Sequence, residues 1–327
     1  AVGLYSMGVA LPALETAFAG STPGAAMMVQ IVGGIVAPAF ALASPLAGRC
    51  IGKYGVRAVY LASIVLFVIG GLGPMLCSAL LPMLPFRLIL ALGVAGGMTA
   101  GYAGIARLPG PQRQILLGLM SFVGGAISIV AFPITGALAA ESWRLAFLIH
   151  LILIPLALLA LALPKHDAPP ADSAEGSSAG KLAGVPVLLL LTTALGGWGI
   201  MASAIYSPFY LGSIGVADPA RTGQVLSAMA VCSLIGSGSY GFVHRLLGTR
   251  GMLLLGLALS GGGCLVIAMN SAIPGVIVGL GMLGAGISVF AAAAYATAIE
   301  AIGPSGNVGG AMGIMNLAMF GPQILFP

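Results

Sequence analysis

The sequence predicts an all-α polytopic membrane protein, and three observations carry that prediction. Of 327 residues, 59% are apolar and only 6% charged, where a water-soluble domain carries about 25% charged residues. The mean hydropathy is +1.13. The few charges also fall between long uncharged stretches, most of them at or above the roughly 20 apolar residues that cross a bilayer core.

Taken in order, residues 1–14 are apolar but too short to span, and they begin without an initiating Met. They are not a signal peptide, because no basic n-region or cleavage pattern precedes them. The uncharged stretch 16–48 predicts a second helix over 26–47. The gap between Arg57 and Arg87 predicts a third over 58–79, and 88–106 supports a fourth over 85–105. Residues 114–140, between Arg113 and Glu141, predict a fifth over 114–138, and 145–164 predict a sixth over 144–163. Beyond the polar stretch that follows, helices are predicted over 186–211, 220–243, 251–270 and 274–297, the last two parted at Asn270-Ser271-Ala272-Ile273-Pro274. An eleventh, over 307–327, runs into the end of the sequence. The expectation is an internal piece of a longer protein, with its first helix partial and a twelfth absent.

Lys and Arg are enriched in cytoplasmic loops. Counting alternate connections, Arg49, Lys53, Arg57, Arg107, Arg113, Lys165, Lys181, Arg245 and Arg250 fall on one side, and Arg87, Arg144 and Arg221 on the other. That bias places 48–57 and 165–183 in the cytoplasm. The latter, KHDAPPADSAEGSSAGK over 165–181, is too poor in large apolar residues to fold alone. It is expected to link an N-terminal bundle, 1–164, to a C-terminal one, 184–327.

The two halves carry an echo of each other. After the second helix stands GRCIGKYGVR at 48–57, and after the eighth, GFVHRLLGTR at 241–250. Both have glycine at the first and eighth places and arginine at the tenth. Glycine at the eighth permits a tight reversal, and the cations can meet helix C-termini and anionic headgroups.

These two loops resemble the signature of the major facilitator superfamily between its second and third helices, with its weaker echo between the eighth and ninth. ALPALE at 10–15 closes a first helix, and SWRLAFLIHL at 142–151 resembles the Trp-Arg-x-x-Phe start of the sixth helix in drug-efflux members. The resemblance covers essentially the whole chain. It implies two pseudo-symmetric six-helix bundles and a secondary transporter of the inner membrane, working by alternating access with its substrate near the midplane. Within that family it implies efflux of amphipathic or drug-like compounds, with protons as a coupling ion and a monomeric state. Uptake of a small organic anion is the alternative within transport, and a membrane sensor or scaffold that has lost its coupling residues is the alternative outside it.

Departures bear on mechanism. The family's loop acid at the fifth place is Gly52 in one loop and Arg245 in the other. The antiporter pattern of the fifth helix survives only at Pro133 and Gly136, with Ser128, Phe132 and Ala137 at its other sites. The eleventh helix holds Gly321-Pro322, a second candidate bend, after Gly309 and Gly313.

Ionisable residues inside a bilayer are costly and point to function. Arg87 opens the fourth helix, as a cation facing a cavity or one snorkelling to the interface. His150 lies about two turns into the sixth helix and is a candidate proton relay. No Asp or Glu stands well inside a predicted span: Glu15, Glu141, Asp218 and Glu300 are at helix ends. Gln30, Tyr102, Trp198, Tyr206 and Asn316 are the candidate cavity residues, since such a lining is largely apolar and aromatic with a few hydrogen bonders. Tyr210 suits the interfacial aromatic belt instead.

Other chemistry finds no footing. The twelve cations are scattered, so no nucleic-acid patch forms. Cys50, Cys77, Cys232 and Cys264 lie far apart in apolar runs, which suits buried thiols rather than a metal site. There is no GxxxxGK[ST] phosphate loop, and no HExxH or GxSxG set. Neither enzyme activity nor a cofactor is expected; the partners are a small-molecule substrate, protons and the lipid bilayer.

Overall fold

In hydrocarbon every backbone N–H and C=O must be satisfied within its own segment, so a chain this apolar resolves into helices. The computed structural model describes residues 6–106, 110–155, 185–216, 218–302 and 308–322, and among them every regular element is helical. The 165–183 linker lies outside the described residues.

A 3-10 turn, Ser6–Ala10, leads into α1, Leu11–Phe18. Then follow α2, Ala25–Tyr54, α3, Val56–Leu72, α4, Met83–Ala106, and α5, Gly110–Glu141. The sixth element, α6, opens as a 3-10 helix over Leu145–Leu153. In the second half α7 is Val187–Ser213. The run Pro219–Met269 is interrupted only at Gly248, where φ is 63° and ψ 174°; its limbs before and after that residue are α8 and α9. Last come α10, Ile273–Ile302, and α11, Val308–Phe320. Six runs among the described residues are long and apolar enough to cross a bilayer, the Pro219–Met269 run counting once. Leu42, Leu46, Leu188, Leu195, Leu254 and Leu265 are exposed on their outer faces, as lipid-facing side chains are in a bilayer.

The two signature stretches are more helical than a loop reading expects. Gly48 and Lys53 ride on the last turns of α2, and Arg57 sits in the first turn of α3. The chain reverses at Gly55 alone, at φ 81°. Gly241 and Arg245 lie on α8, Arg250 opens α9, and Gly248 makes the break. Both reversals use a left-handed backbone that a side chain at Cβ would disfavour.

Packing follows the small residues. α4 lies on α2 and α3, and α10 lies on the α8–α9 pair. The halves meet along two crossings, α5 on α8 and α2 on α11. At the first, a Cβ on Gly136 would run into the Pro219 carbonyl oxygen, and one on Gly223 would stand 2.5 Å from the Phe132 carbonyl oxygen. At the second, Phe40 and Phe320 meet edge to face, with centroids 5.4 Å apart. Pro133 sits inside α5 one turn before the Gly136 contact.

Candidate functional site

Between the two crossings, α1 and α2 face α7. Gly8 approaches Pro208 Cγ, its Cβ direction ending 3.8 Å away. Phe209 packs on the cluster of Leu11, Leu14 and Phe18, and Val9 is buried with Leu211, Val216 and Val225. These apolar contacts close the halves against each other at the end remote from the basic turns. On the same seam, the Tyr206 hydroxyl donates to Gln30 Oε1 at 3.5 Å, joining two residues 176 apart in sequence. Helix α7 can bring its aromatics here because Gly197 lets it lie against the Met319 backbone of α11.

A second neutral pair lies deeper in the C-terminal half. The Tyr295 hydroxyl of α10 donates to Asn316 Oδ1 of α11 and also reaches Met319 Sδ at 4.0 Å. Phenols and carboxamides of this kind can bind hydroxyl or amide groups of a solute without carrying charge. Trp198 is 41% exposed on α7. The backbone of Tyr102 lies in α4, and its side chain lies outside the described residues. Tyr210 donates to the Asn270 carbonyl at 2.8 Å, tying the end of α7 to the end of α9.

Arg87 is placed elsewhere. Its side chain is 1% exposed, and its guanidinium carbon lies 5.0 Å over the Phe147 ring of α6. Its Nε and Nη2 have no hydrogen-bond partner. His150, one turn along α6, is fully buried, and its Nδ1 bonds the Phe147 carbonyl at 2.9 Å while its Nε2 has no partner. The imidazole sits against the Phe67 ring at 5.3 Å, in a space that exists because residue 71 has no side chain. The site is therefore enclosed by α3, α4 and α6 within the N-terminal half. A guanidinium over an aromatic face gains about 2 kcal/mol when desolvated, whereas desolvating an ion costs several kcal/mol. Phe147 alone leaves that cation undercompensated.

Other charged residues make local contacts. Asp218 caps α8, accepting from the backbone N–H groups of Ala220 and Arg221. Arg144 spans from α6 to the Met75 and Cys77 carbonyls at 3.2 and 3.4 Å, over the Trp143 ring. Thr249 bridges His244 Nε2, at 3.0 Å, and Glu300 Oε1, at 3.4 Å, across the second basic turn. Gly321 and Pro322 follow α11 in a 3-10 turn. No cluster that could hold a metal is found among the described residues.

Sequence reasoning named Arg87 and His150 separately and missed what joins them. Phe147 precedes His150 by three residues, which puts both on one face of a helix. That spacing was the available signal. Nothing in the sequence pointed to Phe67 or Gly71 as the walls of the imidazole.

A family model described as Major Facilitator Superfamily matches residues 1–327. Among solved structures, a D-xylose-proton symporter aligns with a TM-score of 0.73 at 17% identity, over 99% of this chain and 85% of that one. The nucleoside transporter NupG aligns at 0.67 and 13% identity, over 98% and 86%. The xylose transporter XylE from E. coli, in a partially occluded inward-open conformation, aligns at 0.67 and 15% identity, over 100% and 89%. At such identities the likeness shows the fold. A comparison with curated proteins finds no match.

Proposed function

The chain belongs to the Major Facilitator Superfamily, and we propose on that premise that this multi-pass membrane transporter carries a small uncharged solute along the seam between its halves. Family membership makes it a transporter rather than an enzyme. In this reading residues 1–164 and 184–327 rock against each other about the α5–α8 and α2–α11 crossings, with 165–183 as a cytoplasmic linker in the inner membrane. The observation that carries the reading is the Tyr206–Gln30 hydrogen bond, a neutral donor and acceptor meeting across the two halves. Burial of Arg87 between α4 and α6 weighs against the uptake of an organic anion held by that cation on the seam. The sugar and nucleoside carriers that share the fold handle solutes rich in hydroxyl groups, which is consistent with phenol and carboxamide partners.

Efflux of amphipathic or drug-like compounds by proton antiport is the second reading. It is favoured by the largely apolar seam and the exposed Trp198. The Trp-Arg-x-x-Phe opening of α6 adds less, since Trp143 packs on Phe18, Arg144 bonds two carbonyls and Phe147 sits under Arg87. Proteoliposomes containing the purified chain decide between them. Uptake of radiolabelled pentose or nucleoside that Gln30→Leu slows at least roughly fivefold supports the first reading. Movement of a lipophilic dye under an imposed pH gradient, with no pentose or nucleoside flux, overturns it in favour of the second.

A further inference from the structure

We propose that the Arg87–Phe147–His150 cluster is a binding site for a small monovalent anion, of the chloride or formate type, that is taken up together with a proton on His150. The proposal rests on the placement of these residues and is independent of which solute uses the seam.

Three polar atoms on the two side chains that pack against Phe147 have no partner: Arg87 Nε, Arg87 Nη2 and His150 Nε2. Both side chains are at least nine-tenths buried. Two of the three atoms are N–H donors on a permanent cation, so the partner they lack is an acceptor, and the charge they lack is negative. Among the described residues, the helices around the site supply no such charge. Glu15 on α1 is half-buried and Glu141 at the end of α5 is exposed, and neither forms an ion pair with Arg87 among the described residues. Arg144 is engaged with Met75 and Cys77, and the buried Cys77 thiol lies against the Gly73 carbonyl. Arg57 and Tyr60 stand at the opposite end of α3. The enclosing side chains Phe67, Phe147 and Ala146 are apolar and buried, so the ligand has to be small and its charge single.

The imidazole sets the proton requirement. A carbonyl oxygen only accepts, so the His150 Nδ1 that meets the Phe147 carbonyl carries the hydrogen. In the neutral ring Nε2 is then a bare lone pair, which repels an anion. Protonation turns it into a third donor and adds a second positive charge to the enclosure. An anion that offsets the Arg87 charge leaves an imidazolium at His150 less opposed by that cation, and so favours it. Anion and proton therefore bind cooperatively.

Radiolabelled chloride binding to the purified chain in detergent tests this, with gluconate replacing chloride at constant ionic strength. The expected result is saturable binding at about pH 5.5 that is at least roughly tenfold weaker at about pH 8. Formate should compete. Arg87→Met should abolish binding at both pH values, and Arg87→Lys, which keeps the charge and covers the case in which the Met variant does not fold, should weaken it about tenfold. His150→Gln should retain binding and lose its pH dependence. Absence of saturable chloride binding to folded protein, or binding unchanged in Arg87→Lys and Arg87→Met, overturns the proposal. Solute flux through the seam is measured separately, so failure here leaves the transport reading standing.

Discussion

The two halves share a way of packing and differ in what they bury. In the N-terminal half a guanidinium and an imidazole lie fully enclosed among Phe67, Phe147 and α3. Among the described residues, the buried polar side chains of the C-terminal half are short hydroxyls; those of Thr222 and Ser260 bond carbonyls of their own helix or the turn before it. The contrast is sharpest at the openings of α4 and α10. Each has a proline in its first turn, followed in one by Phe86-Arg87 and in the other by Gly275-Val276, and Val276 is buried in an apolar cluster with Val225, Leu226 and Leu280. Helix contacts, by contrast, are made alike: Gly93 lets α4 approach the Phe67 backbone of α3, and Gly256 lets α9 approach the Phe290 backbone of α10. Close helix contact is thus a property of both halves, while charge burial among the described residues is confined to one. A fold can repeat its packing without repeating its chemistry.

The strongest way to break the comparison is to give the C-terminal half the charge it lacks. Val276→Arg places a cation in an apolar cluster with Val225, Leu226 and Leu280, and is expected to cost about 3–5 kcal/mol. The readout is loss of the monodisperse peak of detergent-extracted protein in size exclusion. If Val276→Arg is tolerated as Arg87 is, the asymmetry is not energetic.

Next in size is a paired test of the shared packing. Added Cβ atoms at Gly93 and Gly256 would lie 2.5 and 2.6 Å from backbone nitrogens of Phe67 and Phe290. Gly93→Ala and Gly256→Ala are expected to destabilise similarly, by about 1–3 kcal/mol. Thermal melting of each variant checks the equality; a large difference would show that the halves pack by different rules.

Gly71→Ala sharpens the polar side of the contrast. Its methyl group would collide with Cβ and Cγ of His150, the root of a fully buried side chain, so a comparable loss of about 1–3 kcal/mol is expected. Restoration of the melting temperature in the double variant Gly71→Ala/His150→Ala, measured as a mutant cycle, would show that the imidazole is what the missing side chain makes room for.

The smallest effect concerns the seam. Tyr206→Phe keeps the ring and removes the donor to Gln30, and is expected to weaken solute affinity by about 0.5–1.5 kcal/mol with little change in melting temperature. An equal drop in stability and affinity would make Tyr206 a packing residue of α7 instead.

Much of the fold was legible in the chain. Spacing of charges located the spans, and glycine at the eighth place of each basic stretch marked the residues, Gly55 and Gly248, at which the backbone turns left-handed. Boundaries were less legible. The third helix reads as 58–79 from hydropathy, yet α3 ends at Leu72 and passes into a 3-10 turn, Gly73–Leu76, containing Pro74. Hydropathy cannot see that change, because glycine and proline alter backbone geometry without making a segment polar. The basic stretches read as loops because their side chains are charged, although the backbone beneath them is helical up to a single glycine.

What the sequence determined by itself is whatever depends on one segment at a time: which runs enter the bilayer, where the chain reverses, and which side chains there are costly to bury. Transfer of a helix into hydrocarbon is set by its own composition and its own hydrogen bonds, so no neighbour need be known. Tertiary structure alone decided that Arg87 lies under α6 rather than on the seam, that Gly71 houses His150, and that Tyr206 meets Gln30. Each of these joins residues on different helices, and the azimuth at which one helix meets another is fixed by side-chain packing across the pair, a property that neither sequence segment carries alone.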